Sequence, residues 1–196
     1  MELPFSEIFA IVRRPERPQA SFEALRNFGE SQIASPIWKS IKSPDVEKDI
    51  EAARLWLHKT TSTYRPTGVY LGLDTLNERN GKGTNIEIGM TTSANPAVLS
   101  MDWAYHCEEY GKKHLIRGVY EVHKAYKNRN LDDAVHTLAD YLFFFGYSGI
   151  VLASALERMT DRWDSLYVWG FHDGDIGFLA KCSRAGVQRL ATFDGK

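Results

Sequence analysis

The sequence predicts a single α+β domain over residues 1–196, with an antiparallel sheet packed against helices from the N-terminal half and middle of the chain. Three observations carry this. Residues 67–92 and 165–193 each show apolar residues alternating around a polar turn, the period of a strand with one buried face. Between them lies the longest apolar run, Asn130–Arg158. The strands also come in blocks instead of alternating with helices, which favours α+β over a parallel sheet. At 196 residues with 43% hydrophobic content, the chain can bury a sizeable core.

The first element, Phe5–Val12, is apolar and partly β-branched and ends at Arg13-Arg14-Pro15, which predicts a short strand or packed arm. Ser21 opens a short helix with Phe22, Leu25 and Phe28 on one face, and Gly29 is the expected stop. The strongest helix start is Ser43-Pro44, with Ser as cap, Pro at the first helical position, and Asp45 and Glu47 in the first turn. Val46, Ile50, Ala53 and Leu57 then form the buried stripe of a helix over Pro44–Lys59. In the first β region, Val69, Leu71 and Leu73 mirror Ile86, Ile88 and Met90 across the loop Leu76–Thr84, which makes a hairpin.

Helical spacing of Trp103, Cys107 and Tyr110 predicts a helix over Asp102–Tyr110, and Leu115, Val119, Val122 and Tyr126 predict another over His114–Lys127. For the latter a strand competes, because Ile116, Tyr120 and Val122 also fit period two and Gly118 disfavours a helix. Asn130 is a good cap for the central segment, with Asp132 and Asp133 suited to the helix dipole. Gly146 and Gly149 are expected to break or kink it; the alternative is one long helix whose glycines admit a close neighbour. His136 and Asp140 interrupt the run, leaving too few residues for a membrane span. In the last region Leu166–Phe171 and Ile176–Lys181 flank Asp173-Gly174, a strong two-residue hairpin signal, and Val187–Phe193 adds an edge strand.

A net charge of −1 leaves no basic field for nucleic acid. Two cysteines, Cys107 and Cys182, fit neither a metal spacing nor a disulfide framework, and the N-terminus lacks a secretory pattern, so a reduced cytoplasmic setting is expected. Gly81-Lys82-Gly83-Thr84 falls short of a P-loop, and the six histidines form no ligand pair with a third group nearby, so neither cofactor nor metal is expected. No nucleophile elbow is present.

What stands out is aromatic residues interleaved with acids around the two β regions, a composition suited to a protein interface facing a basic partner. The expected contact residues are Glu78, Arg79, Trp169, Asp173 and Asp175. The chain has the general character of a small inhibitor or immunity-type binding protein that occludes a partner, such as a cognate toxin. The alternative is a hydrolase-like enzyme with a carboxylate–histidine site of Glu87, His172 and Asp173 at the hairpin ends.

Overall fold

The computed structural model describes residues 5–14, 17–74, 85–127, 129–171 and 175–193. Its described strands form one seven-stranded sheet: β1 (Gly68–Asp74), β2 (Asn85–Thr91), β3 (Glu109–Tyr110), β4 (His114–Leu115), β5 (Ser165–Phe171), β6 (Ile176–Ser183) and β7 (Gly186–Thr192). Across the sheet they run β3-β2-β1-β5-β6-β7, with β4 also paired to β2. The chain is thus α+β with a largely antiparallel sheet. The two β regions join through one parallel pair, β1 with β5, which sets Leu71 opposite Trp169. Parallel neighbours need a long crossover, and the helices supply it.

Alternation along the strands divides the sheet into two faces. Val69, Leu71, Leu73, Tyr167, Trp169 and Phe171 enter the main core under the helices, while Tyr70, Leu166, Val168 and Phe178 form a smaller cluster on the other face. A bulge in β6 between Phe178 and Ala180 shifts its parity, so that Phe178 faces outward and Ala180 and Cys182 face the helices.

Helices α1 (Phe5–Arg13), α2 (Pro18–Gln32), α3 (Ile37–Ser40), α4 (Val46–Thr61) and α5 (Arg117–Tyr126) surround a long central one. The first corrects the strand reading: Ile8, Phe9, Ile11 and Val12 are buried at i, i+1, i+3 and i+4, a helical stripe that the β-branched composition disguised. Gly29 does not stop α2, because it serves a close contact instead. A Cβ there would lie 2.7 Å from the Trp38 ring and 2.8 Å from Leu142. α4 buries Val46, Ile50, Ala53 and Leu57 as the periodicity requires. Its cap is Asp45, which accepts from the Lys48 amide at 3.2 Å, two residues beyond the expected Ser43.

Two helical expectations shrink. Of Asp102–Tyr110 only Asp102–His106 coils, as a 3₁₀ turn, and it lies on the outer face of the sheet, not with the other helices. His114–Lys127 begins as strand β4 before α5 starts at Arg117. Gly118 opens that helix because its amide donates to the buried Asp49 carboxylate at 2.8 Å, where a Cβ would come within 2.3 Å of Asp49 Oδ2.

The central segment comprises α6 (Asp133–Asp140), a π turn over Tyr141–Gly146 and α7 (Tyr147–Glu157), with Asp132 as cap in place of Asn130. It runs unbroken, so the expected break at Gly146–Gly149 is absent. A Cβ on Gly146 would meet Leu25 at 3.0 Å, and one on Gly149 would meet the Trp169 ring at 3.1 Å. The glycines therefore admit a helix and the sheet. By length and composition this helix is apolar enough to cross a membrane, but 89% of its apolar window is buried inside the protein. Asp140 finds partners within the layer, accepting from Tyr126 Oη at 2.7 Å with His136 Nδ1 at 3.3 Å.

Gly170→Ala would drive a Cβ to 2.1 Å from the Asp175 carbonyl, a backbone atom with little room to yield. It should cost about 1–3 kcal/mol in chemical denaturation. Asp49 gives a second expectation. Its carboxylate accepts from Gly118 N and from Tyr147 Oη, each at 2.8 Å, and burial raises its pKa above the ordinary 3.8. The native state therefore holds this proton more tightly than the unfolded chain, and stability is lost as pH rises from 3.8 through the folded value. Asp49→Asn keeps the acceptor oxygen without the charge, so its denaturation midpoint should fall less than the wild type's as pH rises above 3.8.

Candidate functional site

The outer face of the sheet is shaped by what β1 and β2 lack. Their register sets Tyr70 opposite Gly89 and Gly72 opposite Glu87. With no side chain at Gly72 the Tyr70 ring lies across it, and at Gly89 the space is taken by Cys107, whose sulfur sits 2.6 Å from where a Cβ would be. The link between β2 and β3 crosses this floor. Met101, Trp103 and Cys107 press on the outer cluster, and the Trp103 indole donates to Ser100 O at 2.7 Å.

Glu108 fastens that link. Its carboxylate accepts from the hydroxyls of Tyr64 at 2.7 Å, Ser93 at 2.7 Å, Thr91 at 3.0 Å and Thr92 at 3.2 Å, and from the Thr92 amide at 3.2 Å. These bonds, Ser93's and Tyr64's foremost, hold its carboxyl down at about 2. On the segment so fixed, Tyr105 is 69% exposed and Tyr110 66% exposed. The Tyr110 ring lies 3.4 Å from where a Cβ on Gly89 would be, beside Cys107 and opposite Tyr70. Beside them Lys113 pairs with Glu87 and with Asp74, the latter at 3.0 Å.

The groups with nucleophilic character here are held in their protonated forms. Burial pushes the Cys107 thiol up to about 11 and the Tyr70 hydroxyl up to about 12. On the adjoining edge His114 stacks on Trp56 with ring centroids 4.8 Å apart, and burial depresses its imidazole to about 4. Among the described residues no three His, Cys, Asp or Glu side chains lie close enough to share a metal ion.

Of the residues expected from the sequence, Glu78, Arg79, His172 and Asp173 lie outside the described residues. Trp169 requires correction. It is fully buried, its indole donates to Phe145 O at 3.1 Å, and it belongs to the core instead of a contact surface. Asp175 accepts from Tyr141 Oη at 2.6 Å, which turns it toward the helical side of the sheet. Glu87 sits on the outer side, so the structure does not bring these two carboxylates together.

Tyr105 and Tyr110 escaped the sequence reading because a helix over Asp102–Tyr110 would place Tyr110 on the buried stripe. Glu108 and Glu109 would fall on the polar side of such a helix, so they gave no signal against it. No protein-family model matches the sequence, and neither curated proteins nor solved structures offer a match.

The Glu108 fastening should fail in acid. With its folded pKa held below the ordinary 4.5, its contribution is present above that value and is lost as pH falls toward about 2. Glu108→Ala should likewise speed hydrogen exchange at the Thr92 amide at neutral pH, while core amides of β1 and β5 keep their protection.

Proposed function

We propose that this chain is a protein-binding inhibitor of the toxin-immunity type, working in a bacterial cytoplasm by covering a working surface of its partner. The observation that carries this reading is the pair of exposed tyrosines, Tyr105 and Tyr110, on a segment tied down by Glu108. Tyrosine offers a large contact area with few rotors to freeze, and an already ordered backbone lowers the cost of binding further. Exposed Val98 and Leu99 on the same link add apolar area.

Glu109 stands exposed beside Tyr110, and Asp74 and Glu87, which share Lys113 between them, border the same face with one negative charge in excess. A partner bringing a basic group to this rim would find carboxylates there, which speeds encounter and sets register, while the rings supply most of the affinity. The protonated Cys107 and Tyr70 favour binding over nucleophilic chemistry at this face. Trp169 has no part in the interface because it has no exposed surface.

The test is affinity capture from the source cell with the wild type and a Tyr105→Ala/Tyr110→Ala variant. The expected result is one stoichiometric protein, retained by the wild type, bound at least tenfold more weakly by the variant, and inactive while in complex. Capture of nothing, or of a protein whose activity is unchanged in the complex, would sink the reading. Thermal unfolding of the variant should match the wild type, since neither ring is buried.

A further inference from the structure

At the end of β1 and β5 opposite to Asp74, three connections border an open recess of about 370 Å³ lined by Arg65, Thr160, Asp161, Arg162, Trp163 and Arg184. Arg65 comes from the link between α4 and β1, Arg162 from the link between α7 and β5, and Arg184 from the turn between β6 and β7. Three arginines thus line one space, with Asp161 the sole carboxylate among the lining residues. It lies 3.9 Å from Arg65, too far for a strong bond. The lining keeps an excess of two positive charges.

Their hydrogen bonding is incomplete. Arg162 donates through Nη2 to Glu157 O at 2.8 Å, while its Nε is shut off from solvent and so takes no part in the recess. Arg184 makes no hydrogen bond or ion pair to any described residue. The frame that holds them is firm: the Trp163 indole donates to Pro66 O at 2.6 Å, joining two of the three connections, and Arg65 N donates to Thr61 O at 2.8 Å.

We propose that this recess binds the phosphate group of a small phosphate monoester. Guanidinium forks match phosphate oxygens with paired, charge-assisted bonds, and a dianion balances the two excess charges. The Thr160 hydroxyl adds a neutral donor, and the volume lies within the range of small-molecule sites. A bare ion would leave much of that space empty, and Trp163 offers an apolar wall to the organic part. The site shares no lining residue with the Tyr105–Tyr110 face and does not depend on the inhibitor reading.

Calorimetric titration of the full chain with phenyl phosphate and with inorganic phosphate tests this. Phenyl phosphate should bind more tightly than inorganic phosphate and weaken as salt is raised. Arg65→Gln/Arg184→Gln should bind it roughly tenfold more weakly or worse with unchanged thermal unfolding, since both side chains are at the surface. Arg162→Lys, which keeps the charge without the fork, should weaken it too, whereas Tyr105→Ala/Tyr110→Ala should leave it unaltered. No heat with either probe, or equal affinity in the Arg65/Arg184 variant, would overturn the proposal. Equal affinity for the two probes would reduce the recess to an ion site, and binding of a phosphoserine peptide without phenyl phosphate would move the ligand to a protein; either overturns the monoester assignment.

Discussion

The indole of Trp169, donating to the main-chain oxygen of Phe145, is the contact on which the two layers of this molecule depend. A carbonyl inside a regular helix already has one lone pair directed along the ladder. The π turn over Tyr141–Gly146 loosens the ladder there, and the Phe145 oxygen takes both the indole and the Ser148 hydroxyl. The rings follow the same axis: Phe145 stacks on Trp169 at 4.6 Å, and Phe9 meets both edge-on at 5.7 and 5.4 Å. Each such pair contributes about 0.5–1.5 kcal/mol beyond its burial. Gly149 is the condition for all of it, since a side chain there would press on the indole.

From that junction the sheet acts as a partition. One face is filled by the helices; the other keeps a thinner cover, made by the link that carries Tyr105 and Tyr110. Parallel pairing of β1 and β5 aligns their equivalent ends, so the connections leading into both strands gather at one edge and the arginines on them come together. Two surfaces of different chemistry thus arise from a single topological choice, the insertion of β1 beside β5.

Much of this architecture was legible in the residues. Period-two alternation placed the strands β1, β2, β5 and β6, and the stripe Val46–Ile50–Ala53–Leu57 placed the buried face of α4. What misled was residue type read without its neighbour. Gly29 looks like a terminator until Trp38 lies against it, and Gly146 looks like a hinge until Leu25 does. Trp169 looks like an interface residue because its strand is rich in aromatics, but a strand covered on both faces buries whatever it carries. The tyrosine face was hidden for the opposite reason: helical spacing in Asp102–Tyr110 is shared by a 3₁₀ turn followed by an edge strand, and only the Glu108 bonds to β2 and its flank decide between them. The arginine recess has no linear signature, because its three cations come from three separate connections.

Arg189 closes the structure in a way that bears on how the chain is made. Its guanidinium, largely buried, reaches from β7 to the carboxylate of Glu157 at 2.6 Å, to the Ser154 hydroxyl at 3.0 Å, and to the carbonyls of Val12 at 2.9 Å and Arg14 at 3.1 Å. Arg13 returns the contact by donating to the Ala191 carbonyl at 2.9 Å. α1 is thus completed only once β7 has been made, Arg189 lying 177 positions beyond its partner Val12. Until then α1 has neither the acceptor nor the ring partner, Phe193, that seats it. Closing so long a loop is slow, so the side of α1 that meets β7 stays uncovered until that strand has been synthesised, an interval in which a nascent chain most needs a chaperone.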